Sequence, residues 1–274
     1  MSTLVALAQI NSTGDLNHNL QKAMDLIHEA SMQGATLIAF PESFLLIGNG
    51  EEDYLSAAEP VDGPLVSQFC QVAKAKNMAI LMGGFCEKHP TDSTKTYNSS
   101  IFIDEQGDIQ GLYRKIHLFD SGMVDVPLKE SRSVAPGDQL VCVDHHSGKL
   151  GLSICYDLRF PNLYQKLRTA GAQVMFIPAA FTYQTGEHHW VPLLRARAIE
   201  TQSYVIAPAQ VGWHNKVRRS FGHSLLIDPW GEIIADGGGD DEGLILGEID
   251  LDKVASVRSQ MPLFEHRVLG IDQV

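Results

Sequence analysis

Three polar residues, at the ends of three separate predicted strands, carry the chemistry this chain could do: Glu42 in F-P-E-S, Lys115 in Y-R-K-I-H-L and Cys155 in S-I-C-Y-D-L-R-F-P. A thiol has a pKa of about 8.5 and is mostly protonated at neutral pH, so as a nucleophile it needs a base, which a buried carboxylate supplies. Attack on a carbonyl builds an oxyanion, and fixed donors such as a lysine ammonium and a backbone N–H stabilise it. No histidine is required. Taken singly, the cysteine could equally be a small buried hydrophobe and the lysine a solvated strand end. The elements that position them separate the two readings.

Leu150 to Ile154 is a buried strand, Tyr156 to Arg159 a turn, and Phe160 onward the start of a helix with Pro161 in its first turn. Cys155 therefore falls on a strand-to-helix elbow, which lifts the sulfur out of the sheet and turns the N–H of Tyr156 toward whatever it attacks. Ala35 to Phe40 is a short buried strand, and Glu42 stands just past its carboxyl end, the edge where α/β sheets build their sites. Lys115 lies on the second strand of a hairpin, Y-N-S-S-I-F-I-D, E-Q-G-D, I-Q-G-L-Y-R-K-I-H-L.

Around these, Leu4 to Ile10 reads as a first strand, Asp15 caps a helix from Leu16 to Ala30 that Gly34 ends, and Leu65, Phe69, Val72 and Ala73 mark a second helix before the strand Met78 to Gly83. Phe119 to Gly137, with Pro127, Glu130 and Pro136, is a long irregular segment, a type that is often functional. After the elbow come the strand Gln173 to Ile177, the loop P-A-A-F-T-Y-Q-T-G, a helix Glu187 to Gln202 and the strand Tyr204 to Ala207. Ser224 to Ile227, Glu232 to Ala235 and Gly243 to Ile249 form a closing run of antiparallel strands. Roughly a dozen strands with four or five helices suit an α/β fold of two sheets face to face with helices outside, a four-layer α-β-β-α sandwich. A single Rossmann-type sheet is the alternative, but no G-x-G-x-x-G follows the first strand and no phosphate-binding loop motif occurs.

The composition, 274 residues with 44% hydrophobic and 20% charged, fits one globular domain over 1–274 without a linker. No apolar run approaches the roughly 18 residues of a membrane span, and the N-terminus reads as a strand rather than a signal peptide, so a cytoplasmic setting is expected. A net charge of −12 argues against nucleic acid as a partner and requires local Arg or Lys for any anionic substrate. Cys70, Cys86, Cys142 and Cys155 show no C-x-x-C spacing, so neither disulfides nor structural zinc are expected, and the first, second and third of them lie in apolar contexts that suit inert thiols. The pairs His145/His146 and His188/His189 are the one hint of a metal. Adjacent residues on a helix face different ways, so no metal and no cofactor is expected.

The three contexts together resemble the nitrilase superfamily of carbon–nitrogen hydrolases, with its Glu-Lys-Cys triad, over essentially the whole chain. The resemblance is nearest to the Nit branch of amidases, through R-K-I-H-L-F-D, the K-E-S around Glu130, T-G-E-H-H-W, L-L-R-A-R-A-I-E and F-G-H-S-L-L-I-D-P-W-G. Within that branch, F-G-H-S and D-P-W-G look more like the deaminated-glutathione amidases than the omega-amidases that act on α-ketoglutaramate. The resemblance implies the α-β-β-α sandwich, a second site carboxylate at Glu130 that positions substrate and lysine, and Arg159 and Thr185 as holders of a substrate carboxylate. It also implies pairing of subunits through the helix Glu187 to Gln202, hence a homodimer or higher homo-oligomer. Relatives often have T-G-P-A-H-W where this chain has Glu187 and His188, which bears on the pocket near that helix start.

The expected activity is hydrolysis of a linear, carboxylate-bearing amide through a cysteine thioester, with a small-molecule amide as partner and no nucleic acid or membrane. An omega-amidase, an N-carbamoyl amidohydrolase and a nitrilase share the triad and remain alternatives. A catalytically silent interaction scaffold is the non-enzyme reading, weakened by the presence of all three triad residues. Arg195 and Arg197 read as ion-pair partners at a helix or subunit contact, and Lys216, Arg218 and Arg219 as a solvated loop.

Overall fold

A computed structural model describes residues 2–122 and 129–269. In chain order its elements are β1 (Ser2–Gln9), α1 (Leu16–Met32), β2 (Leu37–Ala39), α2 (Glu51–Ala57), α3 (Pro64–Lys76), β3 (Ala79–Lys88), β4 (Thr96–Ile103) and β5 (Ile109–Arg114). The second half supplies β6 (Cys142–His145), β7 (Gly148–Leu152), α4 (Pro161–Thr169), β8 (Val174–Phe176), α5 (Tyr183–Thr201) and β9 (Tyr204–Ala207). It closes with β10 (Val211–Trp213), β11 (Arg219–Phe221), β12 (Leu225–Ile227), β13 (Ile233–Asp236), β14 (Gly243–Asp250) and α6 (Leu251–Gln260).

Two six-stranded sheets result, ordered β14-β1-β2-β3-β4-β5 and β13-β12-β9-β8-β7-β6, with β10 and β11 forming a separate ribbon. Each sheet has three parallel strands at its centre, β1-β2-β3 and β7-β8-β9, joined by helical crossovers and flanked by antiparallel partners. Side chains alternate across a strand, and the alternation sorts the core into layers. Val5, Leu7, Leu37 and Ala39 belong to the cluster that reaches the second sheet, whereas Ala6, Ala8 and Ile38 pack with Ala23 and Ile27 of α1 and Phe69 of α3. On the far side Tyr164 of α4 and Trp190, Leu194 and Ala198 of α5 cover the second sheet. The result is the expected four-layer sandwich.

Local chemistry explains the boundaries. The Asp15 carboxylate accepts the His18 N–H at 3.0 Å and starts α1. Pro64 opens α3, and Asn77 closes it in the left-handed conformation at φ 48°. Gly83 and Gly84 let β3 run against the chain that carries Glu42: a Cβ on Gly83 would stand 1.8 Å from the Phe40 carbonyl oxygen, and one on Gly84 2.8 Å from the Glu42 Cα.

Several expectations need correction. Helix α5 begins at Tyr183, four residues before Glu187, which puts Thr185 in its first turn. The closing strands are not one antiparallel run, because β14 crosses to the first sheet and pairs with β1 while β12 and β13 stay in the second. Helices α2 and α6 were not foreseen: α2 buries no residue and so has no apolar stripe, and α6 buries only Val254 and Val257. Within Phe119 to Gly137, Glu130–Arg132 form a 3₁₀ turn, whereas Pro127 lies outside the described residues.

Candidate active site

At the end of β7 the chain enters a 3₁₀ turn, Cys155–Arg159, through Cys155 itself, which adopts φ 47°. A left-handed cysteine is strained, and such strain persists only where neighbours over-determine it. Here the Cys155 N–H donates to the Pro178 carbonyl at 2.9 Å. The buried Asp157 carboxylate accepts the Ile154 N–H at 2.8 Å, the Tyr113 hydroxyl at 2.6 Å, the His117 N–H at 3.2 Å and the His117 ring at 2.7 Å. A carboxylate only accepts, so His117 Nδ1 carries the proton. Because Tyr113 and His117 flank Lys115 by two residues each way, one buried carboxylate fixes the elbow and the lysine-bearing strand end together. Arg197 braces the same turn from α5, donating from Nε and Nη2 to the Leu158 carbonyl at 3.0 and 2.7 Å.

Glu42, Lys115 and Cys155 converge from β2, β5 and β7, and they are 5%, 2% and 9% exposed. Ser43, at φ 57°, turns the chain just after Glu42. The Lys115 ammonium donates to Glu42 Oε1 at 2.9 Å and to Glu130 Oε1 and Oε2 at 3.1 and 2.8 Å. Glu42 Oε2 accepts the Ala180 N–H at 2.9 Å, and Glu130 Oε2 the Phe119 N–H at 2.7 Å. The Cys155 thiol and the Glu42 carboxylate lie close enough for each to act on the other's proton affinity.

These contacts set the charge states. Burial alone would raise Glu42, but the Lys115 charge, the thiol and the Ala180 N–H outweigh it and bring the carboxyl down to about 2. Burial, followed by the Glu42 charge, pushes the Cys155 thiol well above its ordinary value. Burial works against the Lys115 ammonium, yet Glu130 and Glu42 hold it well above the ordinary lysine range. The resting set is carboxylate, ammonium and neutral thiol.

Asn98 of β4 completes the cluster and was missed in the sequence. Its side-chain amide donates to Glu42 Oε1 at 2.9 Å and to Glu130 Oε1 at 3.2 Å, and its backbone carbonyl accepts the Lys115 backbone N–H at 2.8 Å. The available signal was an asparagine in the middle of a strand, where that residue is depleted.

Arg159 stands half-buried on the turn after Cys155. Its Nη1 donates to His189 Nδ1 at 3.2 Å and its guanidinium lies 5.0 Å from the Phe181 ring centroid and 5.8 Å from that of Tyr156. Tyr156 is half-buried against Phe119. Thr185 is engaged locally: its hydroxyl meets the Thr182 hydroxyl at 2.7 Å at the start of α5, while Glu187 and His188 are exposed one step further along. The basic loop is not uniformly solvated. Lys216 is exposed, but Arg218 is half-buried on Tyr54 and Arg219 stacks 3.8 Å over the Tyr183 ring.

Burial raises the thiols of Cys70 and Cys142 and pushes that of Cys86 up to about 12. His145 and His146 sit at a strand end rather than on a helix, and both Nε2 atoms reach Glu105 Oε1, at 3.1 and 2.6 Å. His145 Nδ1 accepts the Ser147 N–H at 3.2 Å, so its Nε2 carries the proton and donates to Glu105. That protonation suits a hydrogen-bonded clasp between the two sheet edges.

Comparison with known proteins agrees with this geometry. A family model described as carbon-nitrogen hydrolase matches residues 4–259. A deaminated glutathione amidase of Dictyostelium discoideum is 43% identical over 276 residues, covering 97% of this chain and 94% of the relative. The nitrilase and fragile histidine triad fusion protein NitFhit of Drosophila melanogaster is 40% identical over 97% of this chain, which spans only 57% of that longer protein. The crystal structure of the C. elegans NitFhit protein superposes with a TM-score of 0.93 at 37% identity, covering 98% of this chain and 66% of that one. The chain belongs to the carbon–nitrogen hydrolase family of the nitrilase superfamily and is a hydrolase of carbon–nitrogen bonds.

Proposed function

We propose that Cys155, Glu42 and Lys115 hydrolyse a linear amide through a thioester, with Glu130 as the second carboxylate that holds Lys115. The observation that carries this is the buried Lys115 ammonium 2.9 Å from the buried Glu42 carboxylate, converging with the buried Cys155 thiol from three separate strands. Cys155 Sγ attacks the amide carbon while its proton passes to Glu42. The carbonyl π electrons move to oxygen, and the oxyanion is met by the Lys115 ammonium and by the Tyr156 N–H, which has no acceptor within its own turn. Collapse breaks the C–N bond as Glu42 returns the proton to the leaving nitrogen. Water then adds to the thioester with Glu42 taking its proton, and collapse releases the carboxylic acid as the sulfur regains a proton from Glu42.

A base held near 2 works here because the transfer is coupled to attack. As negative charge builds on the substrate oxygen, the Lys115 field is shared with it, and Glu42 becomes more basic at the moment it must accept. Arg159 supports a carboxylate-bearing substrate, since a guanidinium on the turn after the nucleophile can grip a carboxylate through two hydrogen bonds. Together with the relatives that are deaminated glutathione amidases, this makes deaminated glutathione the substrate we assign. We also propose that the chain works as a homodimer or higher homo-oligomer.

Mass spectrometry of the protein quenched during turnover of deaminated glutathione is expected to find an acyl group on the Cys155 peptide, and Cys155→Ala to lack turnover. An adduct on Cys70, Cys86 or Cys142 would refute the assignment. Preference for neutral nitriles or N-carbamoyl compounds would overturn the substrate class.

A further inference from the structure

The catalytic cluster sets one ammonium, Lys115, against two carboxylates, Glu42 and Glu130, so an anionic substrate needs cations beyond it. Arg218 is such a cation. It follows β10 on the ribbon loop 214–218, and among the described residues its guanidinium has a single hydrogen-bond partner, the Tyr54 hydroxyl at 3.0 Å, and no carboxylate within ion-pair reach. The same phenolic oxygen accepts the Gly48 N–H at 3.2 Å. A phenolic oxygen has two lone pairs and one proton to donate. Both acceptor positions are taken, and among the described residues the Tyr54 proton meets no acceptor, so a half-buried guanidinium and a hydroxyl donor stand side by side.

Their setting is rigid and belongs to the site. His214 Nδ1 donates to the Ser12 carbonyl at 2.8 Å, and His214 Nε2 accepts the Ser220 hydroxyl at 2.8 Å, which pins the loop from inside. Asn215 Oδ1 accepts the N–H groups of Val217 and Arg218 at 3.0 and 2.8 Å. The ribbon rests on the segment that feeds Glu42: the Phe221 N–H donates to Phe181 O at 3.0 Å, next to Ala180, and the Gln210 side chain donates to the Glu42 carbonyl at 3.1 Å. Burial opposes the Arg218 charge, yet Tyr54 and then Glu42 hold the guanidinium above its ordinary value.

Glu42 is the group that returns a proton to the leaving nitrogen, so the amine portion of the substrate departs on its side of the sulfur. Arg159 lies on the elbow itself, against His189 of α5. We infer that Arg218, with the Tyr54 hydroxyl, binds a carboxylate on the amine portion of the substrate, so that the chain selects secondary amides whose leaving amine ends in a carboxylate. This rests on the amidohydrolase reading above and deepens it: Arg159 serves the acyl portion, Arg218 the amine portion, and a primary amide that releases ammonia leaves Arg218 unused.

The test compares deaminated glutathione with its C-terminal carboxamide, which differs only in the charge of the leaving dipeptide. A charge-assisted pair is worth roughly 10- to 100-fold in binding. Wild type is expected to favour the free acid by at least about 10-fold in kcat/KM. Arg218→Met should collapse that ratio to within about threefold, and Arg218→Lys should keep part of it. Tyr54→Phe, which removes one oxygen and leaves the hydrogen bonds of His214 and Asn215 that hold the loop in place, should lower the ratio by roughly three- to tenfold and serves as the readout if Arg218→Met does not fold. A wild type that cleaves acid and carboxamide equally, or variants that lose both substrates in proportion, would overturn the inference and leave the amidohydrolase reading standing. Cleavage of neither compound would overturn both.

Discussion

Cys155 sits beside a carboxylate yet rests as a thiol, because burial and then the Glu42 charge both raise its pKa. A thiol with a raised pKa gains thiolate as pH climbs toward that value, so the rate of alkylation by iodoacetamide is expected to keep rising to at least pH 9. A plateau at or below pH 7 would show a preformed thiolate and remove the need for Glu42 as base. At this scale the sequence was legible where a reactive type closes a buried apolar strand, as at Glu42 and Cys155, while Lys115 was legible only as the end of a hairpin strand. Asn98 and Arg218 were not. The first lies inside a strand whose partners are 56 and 32 residues away, and the second meets Tyr54 164 positions distant, so no local pattern announces either contact.

Asp157 shows how an element is held as a unit. The turn Cys155–Arg159 and the end of β5 share its carboxylate, which takes four donors. Asp157→Asn replaces an acceptor oxygen with an amide that faces donors, a loss of about 3 kcal/mol by the usual worth of buried hydrogen bonds to a charge. The melting temperature is expected to fall by roughly 6 °C for a chain of this size. Since Lys115 and Cys155 then lose their common anchor, kcat should also fall at least about tenfold with KM within about threefold. Unchanged kcat at a lowered melting temperature would reduce Asp157 to a purely structural residue. The elbow itself was readable from the apolar run, the polar turn and Pro161, but the carboxylate that ties it to β5 was not, because Asp157 and Tyr113 stand 44 residues apart. Helix α2, with Glu51, Glu52 and Asp53 in its first turn, depends on terminal charge and not on an apolar stripe, and periodicity is blind to that.

At the scale of the molecule, the alternation of β1 and β2 was enough to foresee helices on one face and a second sheet on the other, whereas the return of β14 to β1 depends on pairing across the whole chain. One feature of the outside follows from the same layering. Helix α5 turns Trp190, Leu194 and Ala198 inward, and on its outer side Ile199 is 46% exposed beside Gly231 and the 53% exposed Trp230. Arg195 secures that neighbourhood by donating to the Gly231 carbonyl at 2.8 Å. Large apolar groups gathered on one surface favour contact with another protein surface. Two residues from Ile199, Arg197 reaches the opposite way to the Leu158 carbonyl of the elbow, so a second subunit packed on α5 would also steady the turn that carries Cys155. Light scattering at micromolar concentration is therefore expected to show wild type as a dimer or larger. Ile199→Glu should shift it toward monomer with its circular dichroism unchanged and kcat reduced several-fold. A monomeric wild type would remove the paired assembly, and a dissociated variant with full kcat would cut the link from the outer face of α5 through Arg197 to the nucleophile.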